Sequence, residues 1–174
     1  MRRLTLVTGA VLLGVLCVPT AVASNGAGGG PRDFAVGSAK NHLGDVPTFP
    51  IQLRVSAHGS ETAVTGHVRG SGDVGGEFRV AGHVTCLRVE GKRASIKYRF
   101  EHAEGSLAPF EAGGVQVFVE DNGPPGGGTP DGNATDFPQP AGVFETNVKQ
   151  CDDPNTRPYN PVDSGNYVVH DATP

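Results

Sequence analysis

The stretch that decides the fold is Phe78-Arg-Val-Ala-Gly-His-Val-Thr-Cys-Leu-Arg-Val-Glu-Gly-Lys-Arg-Ala-Ser-Ile-Lys-Tyr-Arg-Phe100. Phe78, Val80, Gly82, Val84 and Cys86 alternate with Arg79, Ala81, His83 and Thr85, the period-2 pattern of a strand with one covered face. The parity then flips, because Leu87 and Val89 become the apolar pair. A one-residue flip inside a strand predicts a β-bulge. Glu90-Gly91-Lys92 reads as a tight hairpin turn. Beyond it Ala94, Ile96, Tyr98 and Phe100 alternate with Ser95, Lys97, Arg99 and Glu101.

Working outward, the same period recurs. Strands are predicted over 34–43, 50–57, 62–70, 114–121, 142–150 and 166–171, which with the central pair makes about eight. No window carries a helical stripe, and only 103–112 suggests a short helical turn. Composition agrees: 22 Val against a single Met and no Trp, with Gly and Pro numbering 40 of 174 residues. Val is stiff at χ1 and suits a pleated surface. The expected fold class is all-β, a single domain of about eight mainly antiparallel strands over 34–174, closed as a barrel or folded as a sandwich. Two Gly/Pro/Asx-rich loops, 122–141 and 152–165, are too long for plain connectors.

The first 23 residues read as a secretory signal peptide. Arg2 and Arg3 precede an apolar run over 4–18, and Ala21-Val-Ala23 precedes Ser24 as a small-residue cleavage site. The run is too short for a membrane span. The twin arginine suits an ordinary Sec n-region better than a Tat signal. Cys17 lacks the small residue before it that a lipoprotein site wants, since Leu16 stands there. Cleavage between Ala23 and Ser24 leaves 151 residues with 12 Lys and Arg against 18 acidic residues, a formal charge of −6. That balance argues against nucleic acid and anionic membranes as partners. Residues 24–33 form a flexible lead-in.

Two cysteines remain after cleavage, Cys86 and Cys151. In an oxidising compartment an isolated pair is most simply a disulfide. A plain meander places them at different heights, so the bridge requires strong strand tilt or a non-meander connection. Gly66-His-Val68 and Gly82-His-Val84 look like a repeated unit that could hold a metal. Pairing Arg69 with Glu77 places His67 opposite Arg79 and His83 opposite Ala63, which separates the histidines. The other register considered makes them diagonal neighbours but opposes Arg69 to Arg79. Solvent-facing histidines are therefore expected, while His102 keeps the inward parity at a strand end.

Asp121, Asp131 and Asp136, with Asp152, Asp153 and Asp163, supply oxygen ligands of the kind calcium takes, but their spacing matches no calcium loop. Asx residues also favour turns, and a meander puts the two loops at opposite ends of the sheet. Asp121, Asp131 and Asp136 stand as a weak binding set, with no metal and no cofactor expected. No nucleophile elbow, zinc motif or phosphate loop is present, and no catalytic residue is assigned.

The runs Phe78–Ala94, Phe118-Val-Glu-Asp-Asn-Gly123 and Gly165-Asn-Tyr-Val-Val-His-Asp171 resemble small secreted proteins of high-GC Gram-positive bacteria, a group without an assigned activity. The resemblance implies secretion and an all-β fold and carries no catalytic residues. The expected function is a secreted, non-enzymatic module that binds an extracellular or envelope partner. The rivals are a hydrolase drawing on Asp121, Asp136, Asp152 and His102, which requires them in one cleft, and a barrel carrying a small apolar ligand. The last requires a lumen not filled by Val80, Val84, Tyr98, Phe100 and Val117.

Overall fold

The computed structural model describes residues 32–42, 49–60 and 63–172. The expected signal peptide, its Ala23–Ser24 junction and nearly all of the lead-in lie outside the described residues. Among the described residues nine strands form one antiparallel sheet: β1 (Asp33–His42), β2 (Pro50–Ser60), β3 (Ala63–Asp73), β4 (Glu77–Glu90), β5 (Arg93–Gly105), β6 (Gly114–Glu120), β7 (Gly132–Thr135), β8 (Asn160–Pro161) and β9 (Ser164–His170). Their order is β8-β7-β6-β5-β4-β3-β2-β1-β9, a meander whose last strand returns beside the first. The sheet curls into a half-barrel around a single core built from Val55, Val68, Val84, Leu87, Ile96, Phe100, Val119 and their neighbours. Among the described residues no helix is long and apolar enough to cross a membrane.

The bulge expected from the parity flip is present: Val84 pairs with Tyr98 and Cys86 with Lys97, leaving Thr85 as the extra residue. A second register shift between Ala81 and Gly82 leaves Glu101 extra on β5. It turns His102 outward, correcting the inward parity expected for it; the ring is exposed and meets Glu104 at 2.8 Å. The central hairpin closes on Gly91 at φ 59°, the left-handed first position that a type II′ turn reserves for Gly.

Three further expectations are corrected. Residues 142–150 are not a strand. Pro138 and Pro140 break the pairing, and a helical turn (Ala141–Phe144) runs into a 3₁₀ turn (Glu145–Asn147). The strands missed, β7 and β8, lie inside the two long loops, where short Gly-Asn-Ala-Thr and Asn-Pro runs give no alternation. They pair through Gly132 opposite Pro161, so the loops meet rather than lie at opposite ends. Finally, His67 stands directly opposite His83. The turn at Val74-Gly75-Gly76, with both glycines at positive φ, sets this register. It outweighs the opposition of Asp73 to Glu77, a like-charge pair exposed to water.

Gln139 still bridges to Gly114, and beyond it residues 141–159 leave the sheet. They cross its outer face over β4, β5 and β6 as a strap, so that β6 is buried on both faces. Cys151 on this strap reaches Cys86, with Cα atoms 5.8 Å apart. Of the two routes that the cysteine spacing left open, strand tilt or a non-meander connection, the strap is the second. Lys97, 4% exposed, donates to the Asn147 carbonyl at 3.1 Å and to its Oδ1 at 3.0 Å. Burial holds the Lys97 amine below its ordinary pKa although Asp152 and Asp136 pull the other way. Ser95 Oγ donates to the Asp152 carbonyl at 2.6 Å, and Arg157 stacks over the Phe118 ring.

Candidate ligand-binding cavity

The inner face of the half-barrel is not packed along its whole length. Toward one end Leu87, Ile96, Ala94 and Val119 fill it. Toward the other lies a cavity of about 360 Å³, within the size range of small-ligand sites. Val80, Tyr98, Phe100, Val115 and Val117 form its wall, and Leu107, Phe49 and Phe137 stand at its sides. All five residues set as fillers of the lumen belong to the core cluster, and all but Val84 also line the space.

Gly70 makes the room. It follows the inward parity of Val68, and a Cβ there would come within 3.1 Å of Val80 Cγ2 and 3.7 Å of the Tyr98 hydroxyl. An interior glycine in a strand marks a place where something other than a side chain fills the layer. Tyr98 is 2% exposed and packs edge-on to Phe100, with ring centroids 5.4 Å apart. Its hydroxyl has no hydrogen-bond partner among the described residues. Burial drives its pKa well above the ordinary tyrosine value, so the group is a neutral donor. The hydroxyl borders the cavity and is open to whatever fills it, unlike the fully enclosed unpaired atoms Asn41 Oδ1 and Gln116 Nε2. At the mouth Phe137 is 92% exposed, beside Thr135, Asp136 and Pro138.

The carboxylates of the two loops serve other ends. Asp131 Oδ2 accepts from the Tyr167 backbone at 2.6 Å and its Oδ1 from the Asn122 backbone at 2.8 Å. Asp121 Oδ2 accepts from the Val169 backbone at 3.1 Å. Both therefore cap the free edge of β9 and bridge the gap of the half-barrel. Asp136 lies apart from them, on the rim of the cavity, paired with Arg157 at 2.8 Å. Arg157 also approaches Asp152, at 3.7 Å. His102 sits with Glu104 on the outer face of the sheet, so Asp121, the Asp136–Asp152 pair and His102 occupy three separate places. His83 meets Glu101 at 3.1 Å, and His67 lies 4.0 Å from the same carboxylate. Among the described residues no group of three or more His, Cys, Asp or Glu is placed to hold a metal ion.

Sequence reasoning reached Tyr98 as an inward residue but not its open hydroxyl, and it missed Gly70 and Phe137. The parity of Gly70 within β3 was the available signal. No family model, curated protein or solved structure matches the chain.

Proposed function

We propose that the chain is a secreted, non-enzymatic binding module that takes a small, mainly apolar ligand into the half-barrel. The ligand carries one oxygen that accepts a hydrogen bond from Tyr98. The observation that carries this reading is the unpartnered Tyr98 hydroxyl in a cavity walled chiefly by Val, Leu, Ile and Phe, with Thr135 and Asp136 at its mouth. Such a site suits a ligand that buries most of its surface and is oriented by a single polar contact. Secretion rests on the signal-like first 23 residues and on the disulfide, which suits an oxidising compartment. Exported material should begin at Ser24.

A naphthyl ketone dye whose emission moves to the blue out of water tests the reading. It should bind saturably. Gly70→Leu, which fills the space, should abolish binding. Tyr98→Phe should weaken it by roughly fivefold, the equivalent of one hydrogen bond of about 1 kcal/mol. Phe137→Ser, at an exposed position that leaves folding intact, should also weaken it. Binding indifferent to all three substitutions would place the dye elsewhere and overturn the assignment.

A further inference from the structure

The strap covers the outer face of β4 to β6 at one end only. Across β2, β3, β4 and β5 the rest of that face is open, and its charges are arranged unevenly. Arg54 stands directly opposite Arg69, and Arg69 opposite Ala81. Arg79 stands opposite Ser71, one pleat along. All three arginines are exposed. With His102 they surround a depression of about 500 Å³ whose floor is Ala81 and the backbone of Gly70.

The acidic groups on the same face, Asp73, Glu77 and Glu104, lie at the Arg79 end of the groove, away from the Arg54–Arg69 pair. Among the described residues none of the three arginines makes an ion pair. Glu101 is engaged by His83 at 3.1 Å and Glu145 by Arg99. Glu104, the one acidic group in the depression, lies opposite Arg79 but is engaged by His102 at 2.8 Å. Like charges opposed across a strand pair repel, so Arg54 and Arg69 gain from an anion set between them. The chain as a whole is acidic, which makes the concentration of three unpaired guanidinium groups on one patch the more distinct.

We propose that this groove binds a phosphate-type oxyanion. Guanidinium forks pair two oxygens at a time, and three forks around one small floor exceed what one planar carboxylate can accept. A tetrahedral phosphate offers acceptor oxygens in several directions at once. Ala81 leaves the space for it where a longer side chain would fill the floor. The site lies on the opposite face of the sheet from the apolar cavity and does not depend on it.

Titration calorimetry with orthophosphate and with long-chain polyphosphate, at constant ionic strength set with chloride, tests the proposal. Saturable binding is expected, together with a rise in melting temperature. Arg54→Gln and Arg69→Gln should each weaken it about tenfold or more, and the double variant should lose it. Arg32→Gln, away from the groove, should bind as the parent does. Equal affinity per phosphate for the two probes assigns a free phosphate compound as the ligand, and much tighter binding of the polymer assigns a phosphate-bearing chain. Without phosphate the double variant should melt no lower than the parent, since it relieves repulsion at exposed positions. Absence of binding by both probes, or binding that survives in the folded double variant, would overturn the proposal.

Discussion

The Asp131 carboxylate accepts the backbone N–H of Tyr167 at 2.6 Å across 36 residues of sequence, and so joins the β6–β7 end of the half-barrel to the edge of β9. An open strand edge exposes unpaired donors. Here side-chain oxygens from Asp131 and Asp121 take the place of the missing ladder bonds. Asn133, buried beside them, donates to the Tyr167 hydroxyl at 3.4 Å and accepts from Asn41. Asp131→Ala, at a position only 3% exposed, leaves the N–H groups of Tyr167 and Asn122 without their acceptor. The expected loss is about 2–4 kcal/mol. Urea unfolding would measure it, with or without calcium in the buffer. A loss confined to calcium-containing buffer would mean that Asp131 acts through a metal instead.

The Cys86–Cys151 bridge closes a loop of sequence separation 65. Loop-closure entropy of that length corresponds to about 4 kcal/mol. The oxidised protein should have an intact mass two hydrogens below the reduced form, and Cys86→Ala should lose on the order of 2–5 kcal/mol in denaturant unfolding. Free thiols in the native protein would contradict the bridge.

How much of this was legible follows from the range over which each feature is determined. Strand alternation is local, so β2, β4 and β5 could be read from residue parity, and the flip at Cys86 and Leu87 announced the bulge at Thr85. The pairing of His67 with His83 was not legible from charge, because Gly75 and Gly76 fix the turn and the register follows the turn. The 142–150 segment misled because Val143, Phe144 and Val148 look strand-like. Phe144 is buried instead against the bare backbone of Gly114, where a Cβ would lie 2.4 Å from its ring. The cavity needed β3 and β5 in the same picture: the space beneath Tyr98 exists because Gly70, on another strand, has no side chain.

The strap makes a second stability unit. Lys97 links it to the sheet through Asn147, and Ser95 through Asp152. Lys97→Ala should loosen residues 141–157 before it loosens the sheet. Hydrogen exchange should quicken in that stretch by about tenfold, the equivalent of one charge-assisted bond of roughly 1.5 kcal/mol, while β2 and β3 keep their protection. Uniform loss of protection over both regions would show that the strap is not separable.

Two carboxylates give the acid limb of stability opposite contributions. Glu120 is buried, which raises its pKa, but the bonds from Arg93, Asn122 and Lys92 outweigh this and hold it below the ordinary value of 4.5. A lowered carboxylate contributes stability that is full above its unfolded pKa and is lost as pH falls through the folded one. Asp136 is the reverse. Desolvation raises it above 3.8, although Arg157 and Lys97 oppose the shift. Its ionisation therefore costs the folded state, and acidification through the folded pKa relieves that cost. Glu120→Gln should be less stable than the parent by about 1–2 kcal/mol near neutral pH, and the gap should close as pH falls below 4.5. Relative to Asp136→Asn, the parent should instead gain as pH falls toward 3.8. Urea midpoints taken from neutral pH down to about pH 3 decide both, because the other carboxylates cancel in each difference. A Glu120→Gln gap that stays constant over the whole range would mean that the ion pair with Arg93 is not what holds this carboxylate.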